Sequence, residues 1–121
     1  MSAHVLIVDA DSSAASVTQA GVGRLVPDAT LAVVGSTREA WQSAQRHHPD
    51  VLIIDPSPDP FGCARLIGLL REQHVPVRVI VLASRSSPAL RRDLERLGVT
   101  DYIHKPAPLP QLLQKVQSAL T

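Results

Sequence analysis

Short apolar segments alternate with longer amphipathic segments along the whole chain. Four of the apolar segments are continuous and rich in β-branched residues, and a shorter fifth follows them. Continuous apolar runs of this length are typical of strands that are buried on both faces, as in a parallel sheet. The pattern predicts strands at residues 5–8, 31–34, 51–54, 79–82 and 102–103.

Helical patterns fill the gaps between these strands. The first helix is predicted to start at a cap by Ser12 or Ser13 and to end near residue 25. Its buried face is predicted to contain Ala14, Val17, Gly21 and Leu25. The second helix is predicted to open with the capping box Ser36-Thr37-Arg38-Glu39 and to end near residue 48.

The last three helices have equally clear signals. The third is predicted to follow Gly62 and to bury Cys63, Leu66, Ile67 and Leu70. Ser87 is expected to cap the fourth helix, with Pro88 at its first position and Gly98 at its end. The fifth is predicted over residues 109–120, with one stripe formed by Leu109, Leu112, Leu113, Val116 and Leu120.

Strands and helices therefore alternate five times, as (βα)5. Right-handed crossovers of this length build a doubly wound α/β fold, in which helices cover both faces of a five-stranded parallel sheet. We expect a three-layer sandwich in a single domain over residues 1–121, because no linker or repeat interrupts the pattern.

Composition narrows the function class. The 121 residues are 45% hydrophobic and carry a net charge of +1, so no basic excess indicates direct nucleic-acid binding and no segment is long enough to span a membrane. A single cysteine, Cys63, cannot form an internal disulfide, which favours a core role and a cytoplasmic location.

Charged residues follow three of the predicted strands. Asp9 and Asp11 come after the first strand, Asp55 after the third and Lys105 after the fifth. The carboxyl ends of parallel strands meet at one edge, where open α/β sheets bind ligands. Carboxylates suit Mg²⁺ and lysine suits a phosphoryl group, so the pattern predicts phosphoryl chemistry on an aspartate.

Two longer motifs carry a family resemblance. They are Pro-Asp-Val-Leu-Ile-Ile-Asp at residues 49–55 and Gly-Val-Thr-Asp-Tyr-Ile-His-Lys-Pro at residues 98–106. With them, the chain resembles the receiver domain of bacterial two-component response regulators over essentially its whole length. The resemblance implies a flavodoxin-like sheet with strand order 2-1-3-4-5 and a signalling role rather than an enzymatic one.

The resemblance also implies roles for individual residues. Asp55 would accept a phosphoryl group from a sensor histidine kinase or a phosphotransfer protein, and Lys105 would bind that group. Mg²⁺ would be held by Asp9, Asp55 and the backbone carbonyl of Ser57. The peptide bond between Lys105 and Pro106 would be cis, and Tyr102 would report activation.

The fourth helix, fifth strand and fifth helix form the surface that the family uses for partners. Here an output domain, a downstream protein or a second copy of the chain would dock, with no direct contact to nucleic acid or membrane. The candidate contact residues on this face are Arg91, Arg92, Tyr102 and Gln111.

Two alanines depart from the family pattern. Ala10 stands where a second acidic Mg²⁺ ligand is usual, so we expect weak Mg²⁺ binding. Asp11 is then either an additional ligand or a helix cap. Ala83 stands at the switch position where a Ser or Thr hydroxyl usually contacts the phosphoryl group. Ser84 is a candidate to replace it, although adjacent residues at a strand end point in different directions.

The loop after Asp55 is the third departure. Gly62 lies seven residues after Asp55, one fewer than is common, and three prolines, Pro56, Pro58 and Pro60, stiffen the segment. Two readings remain open: a phosphorylation-controlled receiver, or a pseudo-receiver that binds proteins without a phosphoryl switch. A flavodoxin-like small-molecule binder is a distant third, since aromatic residues and a phosphate-binding loop are lacking.

Overall fold

The computed structural model describes residues 3–85 and 87–121, and ten elements alternate along them. All five predicted strands and all five predicted helices are confirmed, with small shifts at their ends. The strands are β1 His4–Val8, β2 Thr30–Val34, β3 Val51–Ile54, β4 Arg78–Ala83 and β5 Asp101–His104. The helices are α1 Ser12–Leu25, α2 Thr37–Arg46, α3 Pro60–Glu72, α4 Pro88–Arg96 and α5 Leu109–Leu120.

The five strands form one parallel sheet in the order β2-β1-β3-β4-β5, which confirms the flavodoxin-like topology. In this register Val8 of β1 pairs with Ile54 of β3, and Ile54 pairs with Val81 of β4. The residues that follow β1 and β3 are therefore neighbours at the carboxyl edge, and the strand order places β5 two strands from β3.

Successive strand residues point to opposite faces, so the sheet contributes to two cores. On one face, Leu6 and Val8 belong to an apolar cluster with residues of α2, α3 and α4. On the other, Val5 and Ile7 pack with residues of α1 and α5. Helices on both faces confirm the three-layer sandwich and explain why residues 5–8, 51–54 and 79–82 of the inner strands are continuously apolar.

Two of the predicted caps are confirmed. Ser36 Oγ accepts a hydrogen bond from Glu39 N at 3.2 Å, and Ser87 Oγ accepts one from Leu90 N at 3.3 Å. The capping box at α2 is only half formed, because the Glu39 carboxylate accepts from Gly35 N instead of Ser36 N. α2 also ends at Arg46, two residues before the predicted end.

The start of α1 differs from the prediction. Asp11, not Ser12 or Ser13, is the N-cap, and its Oδ1 accepts from Ser13 N at 3.0 Å and Ala14 N at 3.2 Å. The carboxylate precedes both serines and reaches two free amides of the first turn, which leaves the serines inside the helix.

The buried face of α1 was predicted correctly at Gly21 and in part at Leu25, but elsewhere it is turned by about one residue. Val17 is 59% exposed, and the buried residues are Ala15, Thr18, Gly21 and Val22. At Gly21 a Cβ would lie 3.0 Å from the Leu109 side chain of α5. A glycine at this position lets α1 approach α5 closely. Within residues 3–85 and 87–121, no helix combines the length and apolarity needed to cross a membrane.

Candidate functional site

Asp9, Asp55 and Lys105 meet at the carboxyl edge of the sheet. Lys105 Nζ donates to Asp9 Oδ2 at 2.7 Å and to Asp55 Oδ2 at 3.0 Å. Asp9 and Asp55 directly follow the adjacent strands β1 and β3, and the Lys105 side chain reaches them from the end of β5. The three residues predicted as the centre of the site are thus in direct contact.

Main-chain amides hold the other oxygen of each carboxylate. Asp9 Oδ1 accepts from Asp11 N at 2.9 Å, and Asp55 Oδ1 accepts from Ser57 N at the same distance. Ser84 N also points at Asp55 Oδ1, at 3.5 Å. Each carboxylate is therefore fixed on one side by the turn after its strand and on the other by the Lys105 ammonium.

Asp55 and Lys105 are ionised at neutral pH, because their contacts favour the charged form of each. The side chains of Asp9 and Asp55 are only 7% and 5% exposed. Burial raises the pKa of Asp55, but Ser57, through its amide and hydroxyl, and Lys105 outweigh burial and hold that pKa below its usual value. Burial lowers the pKa of Lys105, but its bonds to Asp9 and Asp55 raise that pKa overall.

The Ser57 side chain connects the loop after Asp55 to the loop after β4. Its Oγ accepts hydrogen bonds from Ser84 N and Arg85 N, both at 3.1 Å. The sequence drew attention to the Ser57 carbonyl and the Ser84 hydroxyl, yet the observed contacts use the Ser57 hydroxyl oxygen and the Ser84 amide. The signal in the sequence was a serine two residues after Asp55, although its main-chain partners cannot be read from residue types.

The departures at Ala10 and Asp11 have clear structural settings. Ala10 is exposed and borders a small cavity of about 100 Å³, which is also lined by Asp55, Pro58 and Asp59. Asp11 Oδ1 caps α1, which is the second of the two roles predicted for this residue, and its role as an additional Mg²⁺ ligand stays a prediction. The position of the usual second carboxylate is therefore open.

The remaining donors fit a magnesium site with few protein ligands. No three His, Cys, Asp or Glu side chains of residues 3–85 and 87–121 are grouped to hold a metal ion. The carboxylates of Asp9 and Asp55 are nevertheless adjacent, and Mg²⁺ is commonly bound by one or two carboxylates together with water and phosphate oxygens. A cation here would compete with Lys105, which already occupies the Oδ2 atom of both residues.

Asp59, which was not among the predicted site residues, makes the hydrogen bonds that order the loop after Asp55. Asp59 N donates to Pro56 O at 3.1 Å, and Asp59 Oδ1 caps α3 by accepting from Gly62 N at 2.9 Å. Its Oδ2 accepts from the Thr37 hydroxyl at 2.8 Å, which ties the start of α2 to the start of α3. Gly62 is needed because a Cβ there would collide with the Asp59 carboxylate.

The predicted partner face surrounds Tyr102. The Arg91 guanidinium lies 5.1 Å from the centroid of the Tyr102 ring, a cation–π contact between α4 and β5. The buried Tyr102 hydroxyl has no hydrogen-bond partner among the described residues, and burial raises its pKa despite the Arg91 charge. Arg92 and Gln111 are exposed on α4 and α5. The Lys105–Pro106 peptide bond is cis, as the family resemblance implied.

Solved structures share this fold over nearly the whole chain. The signal receiver domain of a putative Luxo repressor protein from Vibrio parahaemolyticus is 25% identical, with a TM-score of 0.86 over 99% of this chain and 91% of that chain. The chemotaxis protein CheY4 of Vibrio cholerae is 24% identical, with a TM-score of 0.83 over 98% of this chain and 99% of that chain, and shows the same fold.

Sequence relatives agree with the structural ones. The chain is 31% identical over 119 residues to the transcriptional regulatory protein PrrA of Mycobacterium bovis and of Mycobacterium tuberculosis. The match covers 98% of this chain but 50% of each relative, so the chain spans about half the length of these proteins. Residues 5–117 match the family model of the response regulator receiver domain. The chain therefore belongs to the response regulator receiver domain family of two-component systems.

Proposed function

We propose that Asp55 accepts a phosphoryl group from a phosphohistidine of a sensor histidine kinase or a phosphotransfer protein. The observation that carries this proposal is the pair of hydrogen bonds from Lys105 Nζ to Asp9 and Asp55, which places a cation beside two buried carboxylates. A phosphoryl group on Asp55 would bring further negative oxygens, and Lys105 is in position to bind one of them.

The transfer needs no base from this chain. An Asp55 carboxylate oxygen attacks phosphorus and forms the new P–O bond, while the P–N bond to the donor imidazole breaks and its electron pair returns to the nitrogen. The lowered pKa of Asp55 keeps the attacking carboxylate ionised at neutral pH. The chain assists the transfer to itself and turns over no separate substrate, as in a signalling module rather than an enzyme.

Asp9, Asp55 and the Ser57 carbonyl are the proposed ligands for Mg²⁺, and Asp11 remains with the α1 cap. When bound, Mg²⁺ offsets the repulsion between the Asp55 carboxylate and the incoming phosphoryl oxygens. With Ala10 in place of a carboxylate, the donor set supports only weak binding. Asp9 supplies the second carboxylate of this set, and hydrogen bonds from Asp11 N and Lys105 Nζ hold that carboxylate in place.

The face around Arg91 and Tyr102 is the proposed contact for an output domain, a downstream protein or a second copy of the chain. Supporting this, the matched PrrA proteins are described as transcriptional regulators and are about twice as long as the matched segment. Arg92 and Gln111, both exposed, extend this face on α4 and α5. The proposal places the domain in the bacterial cytoplasm, with nucleic acid contacted by a separate output domain.

Phosphorylation by a small phosphodonor tests the proposal. The wild-type chain, Asp55→Asn and the control Asp28→Asn, which changes an exposed aspartate, are incubated with the donor and Mg²⁺ and weighed by intact-mass spectrometry. Wild type and the Asp28 variant should gain one phosphoryl group, while Asp55→Asn should gain none. No gain at any Mg²⁺ concentration, or a gain that survives Asp55→Asn, would overturn the proposal. A partner that binds wild type and Asp55→Asn equally without Mg²⁺ would instead favour a phosphorylation-independent binding module.

A further inference from the structure

The loop between β4 and α4 is anchored to the acceptor site by a single hydroxyl oxygen. Ser57 Oγ accepts from the amides of two consecutive loop residues, Ser84 and Arg85, both at 3.1 Å. Its own amide donates to Asp55 Oδ1 at 2.9 Å. One residue, two positions after the acceptor, therefore contacts both the Asp55 carboxylate and the adjacent loop.

The Ser84 amide is shared between two acceptors. It lies 3.1 Å from Ser57 Oγ and 3.5 Å from Asp55 Oδ1, so the neutral hydroxyl oxygen is the closer partner. Hydrogen bonds to a negatively charged oxygen are roughly twice as strong as those to a neutral one. Extra negative charge on Asp55 would shift the amide away from Ser57 and toward the acceptor group.

Ala83 supplies no hydroxyl that could make this connection. Its side chain is completely buried at the end of β4 and carries no polar atom. The loop it precedes leads within a few residues to Ser87, the N-cap of α4. α4 in turn carries Arg91, which lies over the Tyr102 ring. Ser84 and Arg85 are thus separated by only a few residues from α4, which carries part of the proposed partner face.

We propose that the Ser57 side chain is a positioning residue that holds the β4–α4 loop and couples it to the state of Asp55, in place of a hydroxyl at Ala83. Without a phosphoryl group, Ser57 Oγ holds both loop amides. With one, a phosphoryl oxygen accepts the hydrogen bond from Ser84 N, and the loop loses one of its two hydrogen bonds to Ser57 Oγ. This inference rests on the proposed function, since it assumes that Asp55 accepts a phosphoryl group.

Amide hydrogen exchange and chemical shifts measured by NMR test the coupling in four chains. Ser57→Ala removes the acceptor, Ser57→Thr keeps a hydroxyl, and Ser118→Ala is a control at an exposed serine of α5. Without any phosphoryl mimic, Ser57→Ala should speed exchange of the Ser84 and Arg85 amides by about fivefold to tenfold relative to wild type, through loss of one hydrogen bond each. Ser57→Thr and Ser118→Ala should retain the protection of wild type.

The same chains are then titrated with beryllofluoride and Mg²⁺ as a mimic of the phosphoryl group. In wild type and Ser57→Thr, resonances of Ser57, Ser84 and the first turn of α4 should shift together. In Ser57→Ala, the resonance of residue 57 should still shift, but that of the first turn of α4 should shift by less than half as much.

The outcomes separate the two proposals. Unchanged exchange in Ser57→Ala, or equal shifts of α4 in Ser57→Ala and wild type, overturns the coupling role and leaves the acceptor role of Asp55 standing. If the wild-type site does not respond to beryllofluoride at all, at Ser57 or Lys105, the proposed function fails and the coupling fails with it. Thermal unfolding of each variant confirms that the comparison is made on folded chains.

Discussion

Lys105 and Asp55 form a hydrogen-bonded ion pair, Nζ to Oδ2 at 3.0 Å, across 50 residues of sequence. The same ammonium bonds Asp9, so one cation separates two carboxylates that are almost fully buried. Removing this cation leaves the two acids facing each other with an unpaired oxygen on each. The stability of this carboxylate pair therefore depends on Lys105.

Lys105→Met should destabilise the fold by about 1–3 kcal/mol without divalent cations, because it leaves buried charged acceptors unpaired. Mg²⁺ should recover more stability in this variant than in wild type, since it can take the place of the ammonium between Asp9 and Asp55. Urea unfolding with and without Mg²⁺ measures both effects. Lys115→Met is the matched control: its side chain is 44% exposed and lies 3.6 Å from Asp101, so its loss should cost no more than about 1 kcal/mol.

Stability should depend on acid pH through Asp55. Its folded-state pKa is lowered, so the ionised form stabilises the fold at pH values above the unfolded pKa of about 3.9. That contribution is lost as pH falls through the folded pKa. Urea unfolding from neutral to acid pH should show a smaller decline for Asp55→Asn than for wild type or Asp28→Asn. Equal declines in all three would contradict the lowered pKa.

At alkaline pH, the stability of the fold should depend on Lys105. Its pKa is raised in the folded chain, so its contribution is fully present below the unfolded value of about 10.4 and is lost as pH rises through the folded pKa. The free energy of unfolding of wild type should therefore fall at alkaline pH more steeply than that of Lys105→Met. Lys115→Met should keep the wild-type profile, which would assign the difference to Lys105.

The fold and the centre of the site follow from local patterns in the sequence. The apolar strands and the serine caps can be recognised from hydrophobic periodicity and from residue types at helix starts. Asp9, Asp55 and Lys105 each follow a predicted strand, and a parallel sheet brings the ends of its strands to one edge. The buried face of α1 followed only in part: Gly21 is buried as predicted, but the burial of Ala15 and Val22 depends on tertiary packing against the sheet and α5, which the local pattern does not reveal. The Ser57 contacts were missed because their donors are main-chain amides, which residue types do not reveal.

Ala10→Asp should tighten Mg²⁺ binding by roughly tenfold or more, since one additional carboxylate beside Asp9 and Asp55 raises the attraction for a divalent cation. The exposed position of Ala10 on a cavity beside Asp55 leaves room for this side chain. Calorimetric titration with Mg²⁺ measures the change. Ala20→Asp, on the exposed side of α1, adds the same charge elsewhere and should leave the affinity near that of wild type; a similar gain in both variants would refute a local effect.

Val17 and Leu70 should respond very differently to truncation. Val17→Ala should change the free energy of unfolding by no more than about 0.5 kcal/mol, because the side chain is 59% exposed. Leu70→Ala should lower the free energy of unfolding by about 2–5 kcal/mol, because Leu70 of α3 is fully buried in the apolar cluster between the sheet and helices α2, α3 and α4. Chemical denaturation compares the two. A large loss of unfolding free energy in Val17→Ala would contradict its exposed position and would support the buried face that the sequence pattern predicted.

Asp11 separates capping from metal binding. Asp11→Asn keeps an N-cap of similar quality, so it should preserve stability, whereas Asp11→Ala should lose about 0.5–2 kcal/mol because Ser13 N and Ala14 N lose their acceptor. If Asp11 serves only the helix, Asp11→Asn should also leave Mg²⁺ affinity within about twofold of wild type, since the exposed carboxylate adds little to a site it does not contact. A tenfold weaker titration for Asp11→Asn, with stability unchanged, would make Asp11 a ligand that compensates for Ala10.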